Sequence, residues 1–421
     1  MKRALVLSGG GAKGSYQLGV YKALKKLGIK IDIITGTSIG SINGALLVTG
    51  DYKKAKKLWL TIKSDTIFNY TFENPKEYPK IVKELVTNKG LNIEKGEEFI
   101  SKIIDEEKIR KSKIDYGLVT VNLKTKVPKM LTKEAIPKGK LISYIIASAT
   151  CFPAIQLKEI DGENYIDGGY YDNLPINLAI DMGADEVIAV DLSAIGIKQK
   201  VKNSDVKIDY IKHSDKHMFT LDFNPTTAKK NIKLGYNDTM KYYKKLEGNI
   251  YTFKKGDLER NYNKISNNYI SLFKQILSNE KDTLLTEKFK NQRYKNILSN
   301  IKQNKKIDVE INKSLEYLGT IFDLDEQKVY NIDVFNRKLI REAKNLSYLT
   351  LDKNLKGKML IGYIYNKYMN SEDKQEVHKK LLNIALIFQK DFLAAVYLIA
   401  ISQKYLFTLY SDKLYNSLSK N

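Results

Sequence analysis

Cysteine is almost absent from this chain of 421 residues: Cys151 stands alone. An intramolecular disulfide is thereby excluded, and the usage fits a reducing compartment or indifference to redox state. Cys151 itself is expected to be a small buried hydrophobe. Histidine is nearly as scarce, with His213, His217 and His378 the full set. None lies in a glycine-punctuated loop of the kind that carries catalytic groups, so all three are expected to be surface or structural residues. Long apolar runs are also missing. The most apolar stretch, Ile384 to Ile401, is broken by Gln389-Lys390-Asp391, which leaves only Phe392 to Ile401 uncharged. That is about half of what a bilayer-spanning helix needs. A buried core helix is expected there, with an interfacial lipid-binding helix as the alternative. The start of the chain, Met1-Lys2-Arg3-Ala4-Leu5-Val6-Leu7, has the charge of a signal peptide, but its apolar run gives way to glycines too soon. It is read as a first strand and the protein as cytoplasmic.

Two further absences divide the chain. All seven prolines lie at or before Pro225, and only Gly256, Gly319, Gly357 and Gly362 of the 25 glycines follow residue 250. Losing both breakers while keeping Leu, Ile and Lys at helical spacing predicts an all-helical region over residues 251 to 421, of open function, behind a first domain over residues 1 to 250. A hydrophobic content of 43% with 10% aromatics supports a globular protein with a sizeable core. The net charge of +23 is spread: 41 basic and 29 acidic residues up to residue 250, then 30 and 19. No basic arm stands out, so nucleic acid is not an expected partner. The diffuse excess suits an anionic membrane surface, and equally a merely well-solvated one. Oligomeric state is left open.

The first domain reads as strand–turn–helix units. Lys2 to Ser8 is a strand, Gly9-Gly10-Gly11-Ala12-Lys13-Gly14 a turn, and Tyr16 to Leu27 a helix. A second strand ends in Gly36-Thr37-Ser38-Ile39-Gly40 and passes into another helix. Such units in series imply a largely parallel sheet with helices on its faces. Residues 51 to 108 read as mainly helical, with Pro75 and Pro79 in a loop. Strands follow at Tyr116 to Asn122, Pro128 to Leu131, Asn164 to Ile166 and Glu186 to Leu192, with helices at Leu141 to Ser148 and Pro175 to Met182.

Gly-x-Ser-x-Gly has a steric logic. A serine on a sharp strand-to-helix turn needs neighbours two positions away that are nearly free of side chain, and Gly36 and Gly40 meet the need. The turn sets Ser38 Oγ at a helix N-terminus, where the Ile39 amide can face a developing oxyanion. Alone the pattern is weak, and an ordinary serine N-cap accounts for it as well. With histidine so scarce, the base for such a serine would be a carboxylate. Asp167, followed by Gly168 and Gly169, is the first candidate and Asp172 its rival, although Asp167-Gly168-Gly169 also reads as a plain hairpin turn. A carboxylate would need burial to become an effective base near neutral pH. The loop Gly9-x-Gly11-x-x-Gly14 formally satisfies a dinucleotide fingerprint, which keeps a nucleotide-binding module, or else a membrane-docking one, as the rival from another class. Against it, Asp32 begins the second strand where a ribose-binding acid should close it, and Ser15 stands where a P-loop requires Lys. The same amides can hold an oxyanion or a lipid phosphate, with Lys13 adding positive charge.

Taken together, in order, the three motifs resemble those of the patatin-like phospholipases: Gly9-Gly10-Gly11-Ala12-Lys13-Gly14, Gly36-Thr37-Ser38-Ile39-Gly40 and Asp167-Gly168-Gly169. Weaker agreements are Ser148-Ala149-Thr150 with Phe152-Pro153, Asn173-x-Pro175, and Gly235-Tyr236 in a later helix. The resemblance covers about residues 1 to 250. It implies an α/β, three-layer α/β/α core with a largely parallel sheet, and a Ser38–Asp167 dyad with an oxyanion hole around Gly10, Gly11 and Ile39. It further implies hydrolysis of phospholipid or other lipid esters, without metal or cofactor, at a membrane surface. It explains the missing histidine. An acyltransferase using the same dyad is the alternative. Ile39 departs from the small residue common in the family and is expected to narrow the site.

Overall fold

The structure is a computed structural model that describes residues 1–68, 78–88, 90–203, 205–213, 223–278, 307–346 and 356–418. Its backbone divides into two compact units, Met1–Tyr242 and Tyr243–Asn421.

The first unit is built on an eight-stranded mixed sheet. Strand β1 (Arg3–Leu7), buried from Ala4 to Leu7, lies at its middle. It pairs in parallel with β2 (Ile33–Thr37) on one side and β7 (Glu186–Asp191) on the other. Beyond β2 comes β3 (Asp115–Asn122), parallel to it, and beyond β7 comes β8 (Lys207–Lys212), also parallel. Antiparallel partners close the β3 side: β4 (Pro128–Thr132) and β6 (Glu163–Asp167) both pair with β3, and β5 (Lys158–Ile160) pairs with β6. Continuous apolar runs in β1 and β7 are what a parallel strand buried on both faces requires. The strands β5 and β8 escape the sequence reading for a physical reason. One is three residues long and the other is an edge with lysine at both ends and a single buried residue, so neither shows a buried run.

Helices flank the sheet. Those that matter for the site are α1 (Ser15–Lys26), α2 (Ile39–Val48), α3 (Tyr52–Thr61), α4 (Ser64–Ile67), α5 (Tyr78–Thr87), α6 (Glu94–Ile103), α7 (Glu106–Lys111), α8 (Leu141–Ser148), α9 (Ile176–Asp181) and α10 (Pro225–Tyr242). Pro79, expected in a loop, lies in the first turn of α5, where the missing proline N–H has no helical partner to lose. Pro75 lies outside the described residues. Helices α1 and α10 meet at bare backbone. A Cβ on Gly19 would stand 2.1 Å from the Ile232 carbonyl oxygen, and one on Gly235 would stand 2.1 Å from the Tyr16 carbonyl oxygen. The Gly235-Tyr236 pair of the sequence is thus a packing device.

The second unit is helical, with helices at Asp257–Ser278, Ile307–Ile321, Ile332–Lys344, Lys358–Asn370, Lys374–Ile387 and Gln389–Leu418. The expectation of an all-helical region needs one correction. Leu246–Glu247, Thr252–Lys254 and Val329–Tyr330 form a small three-stranded sheet, whose pieces of two or three residues carry no detectable alternation. Phe392 to Ile401 is buried throughout and forms the centre of this unit's core. Among the described residues no helix is long and apolar enough to cross a membrane. His378, expected on a charged helix face, is 5% exposed and stacks on Tyr368, and burial lowers its pKa. His213 is likewise buried, edge-on to Tyr16. Both histidines are structural rather than surface residues. His217 lies outside the described residues.

Candidate active site

The end of β2 delivers Ser38 into a conformation that L-residues rarely adopt, φ 57° and ψ −128°, immediately before α2 begins at Ile39. Backbone strain of this kind costs on the order of 1–3 kcal/mol and persists only where the surroundings hold it. Here they do. The Ser38 N–H donates to Ser148 Oγ at 3.0 Å, and its carbonyl accepts from Ser41 Oγ at 2.7 Å and from the Ser41 N–H at 2.9 Å. The flanking glycines are required by close backbone. A Cβ on Gly36 would lie 2.3 Å from the Gly40 carbonyl oxygen, and one on Gly40 would lie 2.2 Å from that of Leu7.

Asp167 reaches the same place from the end of β6. Its N–H donates to the Thr150 carbonyl at 2.8 Å, and its Oδ1 accepts the Gly169 N–H at 2.7 Å. The side chain of Gly168 is excluded by the Val119 carbonyl oxygen, 2.2 Å from where a Cβ would stand. Ser38 lies close enough to the Asp167 carboxylate to pull its pKa down, and both line one cavity. Burial pushes that carboxyl up to about 6, against the opposing pull of nearby Ser38 and of the Gly169 N–H. Asp172 is also buried and also pushed up to about 6 by burial, but its Oδ1 serves the N–H groups of Leu174 at 3.2 Å and Gln199 at 3.4 Å. Of the two carboxylates the sequence offered, Asp167 is the one set against Ser38.

The glycine loop lies beside them. Gly9 donates its N–H to the Asn173 carbonyl at 3.1 Å, and a Cβ there would touch both Asn173 and Ser38. Gly10 and Gly11 take φ 155° and 52° and, with Ser38, Ile39, Asp167 and Gly169, line a cavity of about 650 Å³. Lys13 is 3% exposed and is not part of this lining. Gly14 is held by Asn43, whose Nδ2 donates to its carbonyl at 2.9 Å and to Gln17 Oε1 at 2.7 Å, while Trp59 Nε1 donates to Asn43 Oδ1 at 2.9 Å. This buried chain of amides fixes the loop to α1, α2 and α3. Ile39 reaches toward Gly14, 2.6 Å from the position a Cβ would take, so its bulk does fill space at the mouth of α2.

Away from the polar end the cavity wall is apolar. Leu58, Trp59, Phe68, Phe99, Ile100 and Phe223 contribute to it, from α3, α6 and the segments that follow α4 and precede α10. Sequence reasoning did not single these residues out, because each looks like an ordinary core position of its own helix or of the segment beside one. Asn173 and Ser148 were noted only as secondary agreements. In the structure Ser148 holds the Ser38 backbone, and Asn173 is packed among Gly9, Gly169 and Gly196 with its Nδ2 buried and unpartnered. Cys151 corrects an expectation. It is exposed, on the cavity lining beside Asp167 and Tyr170. Burial of its thiol, followed by the nearby Asp167 charge, raises its pKa. A cysteine next to an open wall is not the small core residue its composition suggested.

The fold and this pair of residues define a class first: an α/β domain whose strained serine at a strand end sits beside a buried aspartate on the lining of a largely apolar cavity. The comparisons then say what the first part of the chain is similar to. Residues 5–180 match the model of the patatin-like phospholipases, as the three motifs led one to expect. The mouse patatin-like phospholipase domain-containing protein 7 is 33% identical over 202 residues, which are 45% of this chain and 14% of that protein. Lysophospholipase nte1 of Aspergillus terreus is 35% identical over 199 residues, 45% of this chain and 12% of that one. The human patatin-like phospholipase domain-containing protein 6 is 33% identical over 202 residues, 45% of this chain and 13% of that protein. The match thus spans about one seventh of the length of these relatives. Among solved structures, the crystal structure of VipD from Legionella pneumophila aligns over 95% of this chain and 90% of its own, at 15% identity and a TM-score of 0.36. At that score the likeness carries no argument.

Proposed function

We propose that the Met1–Tyr242 unit is a lipid acyl hydrolase of the phospholipase A or lysophospholipase type, with Ser38 as nucleophile and Asp167 as its base. The observation that carries the reading is strained Ser38 set beside the buried Asp167 carboxylate on the lining of one largely apolar cavity. A carboxyl raised to about 6 is a better match to a base working near neutral pH than an ordinary aspartate, while remaining mostly ionised at pH 7. Names of the relatives, patatin-like phospholipase and lysophospholipase, point the same way.

In the proposed reaction an acyl chain occupies the apolar part of the cavity and presents its ester carbonyl to Ser38. Asp167 takes the hydroxyl proton as Oγ bonds the carbonyl carbon. The oxyanion is assigned to the N–H groups of Gly10, Gly11 and Ile39, each such donor being worth roughly 3–4 kcal/mol in related sites. The ester C–O bond breaks, the leaving alkoxide takes the proton from Asp167, and an acyl-serine remains. Water then gives a proton to Asp167 and attacks the acyl carbon, after which Ser38 recovers its proton and the fatty acid leaves. The strained turn keeps Oγ presented throughout, so no reorganisation accompanies attack.

A fluorophosphonate probe tests the nucleophile directly. Labelling at Ser38, located by peptide mass analysis and lost in Ser38→Ala, is the expected result. Folded protein that takes no label and releases no fatty acid from lysophospholipid or diacyl phospholipid would end the reading. Adding an alcohol acceptor and analysing products separates hydrolysis from acyl transfer, with free fatty acid expected to dominate.

A further inference from the structure

The segment after β7 presents large apolar side chains to solvent where a soluble protein has no use for them. Ile195 is fully exposed, at 103% of its reference area, and Ile197 is 54% exposed. Single exposed apolar residues are normal on protein surfaces. These two stand one residue apart, and both line the mouth of the cavity described above, together with the half-exposed Tyr170. The loop also touches the glycine turn. A Cβ on Gly10 would lie 3.3 Å from Ala194 Cβ and 2.9 Å from Leu192 Cδ1.

The loop is held in this exposed state. The Ser193 N–H donates to Asp191 Oδ1 at 2.8 Å and Ser193 Oγ donates to the His213 carbonyl at 3.1 Å. At the other end the Ile197 N–H donates to the Gly169 carbonyl at 2.9 Å, and the Ile197 carbonyl accepts the Asn173 N–H at 2.6 Å. Lys198 Nζ pairs with Asp191 Oδ2 at 2.7 Å, closing the loop on its own base. Pinned on both sides, the isoleucines stay outward rather than fold into the cavity. The chain that leaves the loop carries Lys198, Lys200 and Lys202, all exposed.

We propose that this loop, with Ile195 at its tip and Ile197 beside the cavity mouth, is the element by which the protein docks on an anionic phospholipid surface. The proposal rests on the lipid acyl hydrolase reading of the same site. A tip of two isoleucines enters the acyl region at the interface, while the lysines stay at the level of the anionic headgroups, the arrangement that apolar burial and headgroup attraction together favour. Because the tip is tied to Gly169 and packed on Gly10, docking sets the cavity mouth against the membrane and gives one acyl chain a path out of the lipid layer. A surface for a protein partner would need no such link between the tip and the cavity.

The test uses the full chain carrying Ser38→Ala, so that no lipid is consumed, with phosphatidylglycerol-containing vesicles and pure phosphatidylcholine vesicles as probes. The parent is expected to bind the anionic vesicles more tightly. Adding Ile195→Asp should weaken that binding by about tenfold or more. Adding Ile195→Trp should retain it and give a blue shift of tryptophan emission when vesicles are added, readable against the buried Trp59. Lys200→Ala with Lys202→Ala should weaken binding to anionic vesicles and reduce its salt dependence. An unshifted emission from the Ile195→Trp protein, with Ile195→Asp binding within about twofold of the parent, overturns the proposal. Turnover of a soluble short-chain ester by the chain with Ser38 intact is measured separately. Turnover without the emission shift ends the docking inference and leaves the hydrolase reading, whereas the shift without turnover ends the hydrolase reading and leaves a lipid-docking loop.

Discussion

The two units of this protein solve the problem of a buried core in different ways. In Met1–Tyr242 the backbone itself comes close to backbone: around Gly36, Gly40 and Gly168 a single added Cβ would collide with a carbonyl oxygen at 2.2–2.3 Å. In Tyr243–Asn421 the core is made by side chains, with Tyr251, Phe253, Tyr330 and Phe335 in edge-to-face contact and a buried polar group of Asn261, Asn336 and Tyr397 bonded at 2.8–3.1 Å. The difference teaches where chemistry is afforded a place. A strained serine needs neighbours that are all backbone, whereas helices packed by rings need none, and the distribution of glycine along the chain follows.

The sharpest way to break the contrast is at the strained turn. Ser38→Ala and Asp167→Asn should each lower ester turnover on the order of 10⁴-fold or more, read as kcat on a soluble ester. If Asp167→Asn retained most of the activity, the first unit would be a glycine-rich scaffold with no dyad. Next in size is Gly40→Ala, which forces a methyl against the Leu7 carbonyl oxygen and should destabilise the first unit by about 1–3 kcal/mol or more in chemical denaturation. Gly362→Ala, in a helix of the second unit where the added methyl meets the Leu346 side chain, 2.8 Å from Cδ1 and 2.9 Å from Cβ, and no carbonyl oxygen, should cost less than Gly40→Ala, since Leu346 has to shift while helix propensity favours alanine. Equal losses at the two glycines would erase the distinction between the units. In the ring-packed unit, Tyr397→Phe removes a hydroxyl that donates to Asn336 Oδ1 at 2.8 Å and accepts from Asn261 Nδ2 at 3.1 Å. Leaving those amides buried should cost about 1–3 kcal/mol.

The smallest expected effects are read by pH. Asp167 must be ionised to act as base, so kcat/KM should rise as pH increases through about 6 and level off above it. Stability should move the other way. Both Asp167 and Asp172 have folded pKa values raised above the unfolded value, so each contributes stability that is complete below about pH 4 and is lost as pH rises through about 6. Asp172→Asn should flatten part of that loss without moving the activity profile. A profile that shifted with Asp172→Asn would give the base to the wrong carboxylate.

Much of this was legible because steric demands write themselves into sequence. Gly36 and Gly40 around Ser38, and the glycines before α1, are forced by geometry, so their spacing announces the turn. Asp167 ranked ahead of Asp172 in the sequence on its two following glycines and on the motif it resembles, while the structure adds what each carboxylate meets: Ser38 for one, the N–H groups of Leu174 and Gln199 for the other. The cavity wall was not legible either: Trp59, Phe99 and Phe223 are far apart in the chain and converge only in three dimensions. Cys151 was misread for a related reason. Whether a small side chain is covered depends on where the wall opens, and composition holds no record of that. Edge strands β5 and β8 lacked a buried run, and the second unit's short strands were too brief to alternate.

The reciprocal fit of Gly19 against Ile232 and Gly235 against Tyr16 has a consequence for how the protein is made. The family match ends at residue 180, yet α10 arrives only with Pro225. While the ribosome is still delivering the intervening segment, α1 has emerged with its glycine face uncovered, and the β1–β2–β3 half of the sheet waits for β7 and α10 to close it. Synthesis therefore includes an interval in which the Ser38 turn exists in sequence before its scaffold can hold it, and the clasp between the two helices marks the end of that interval.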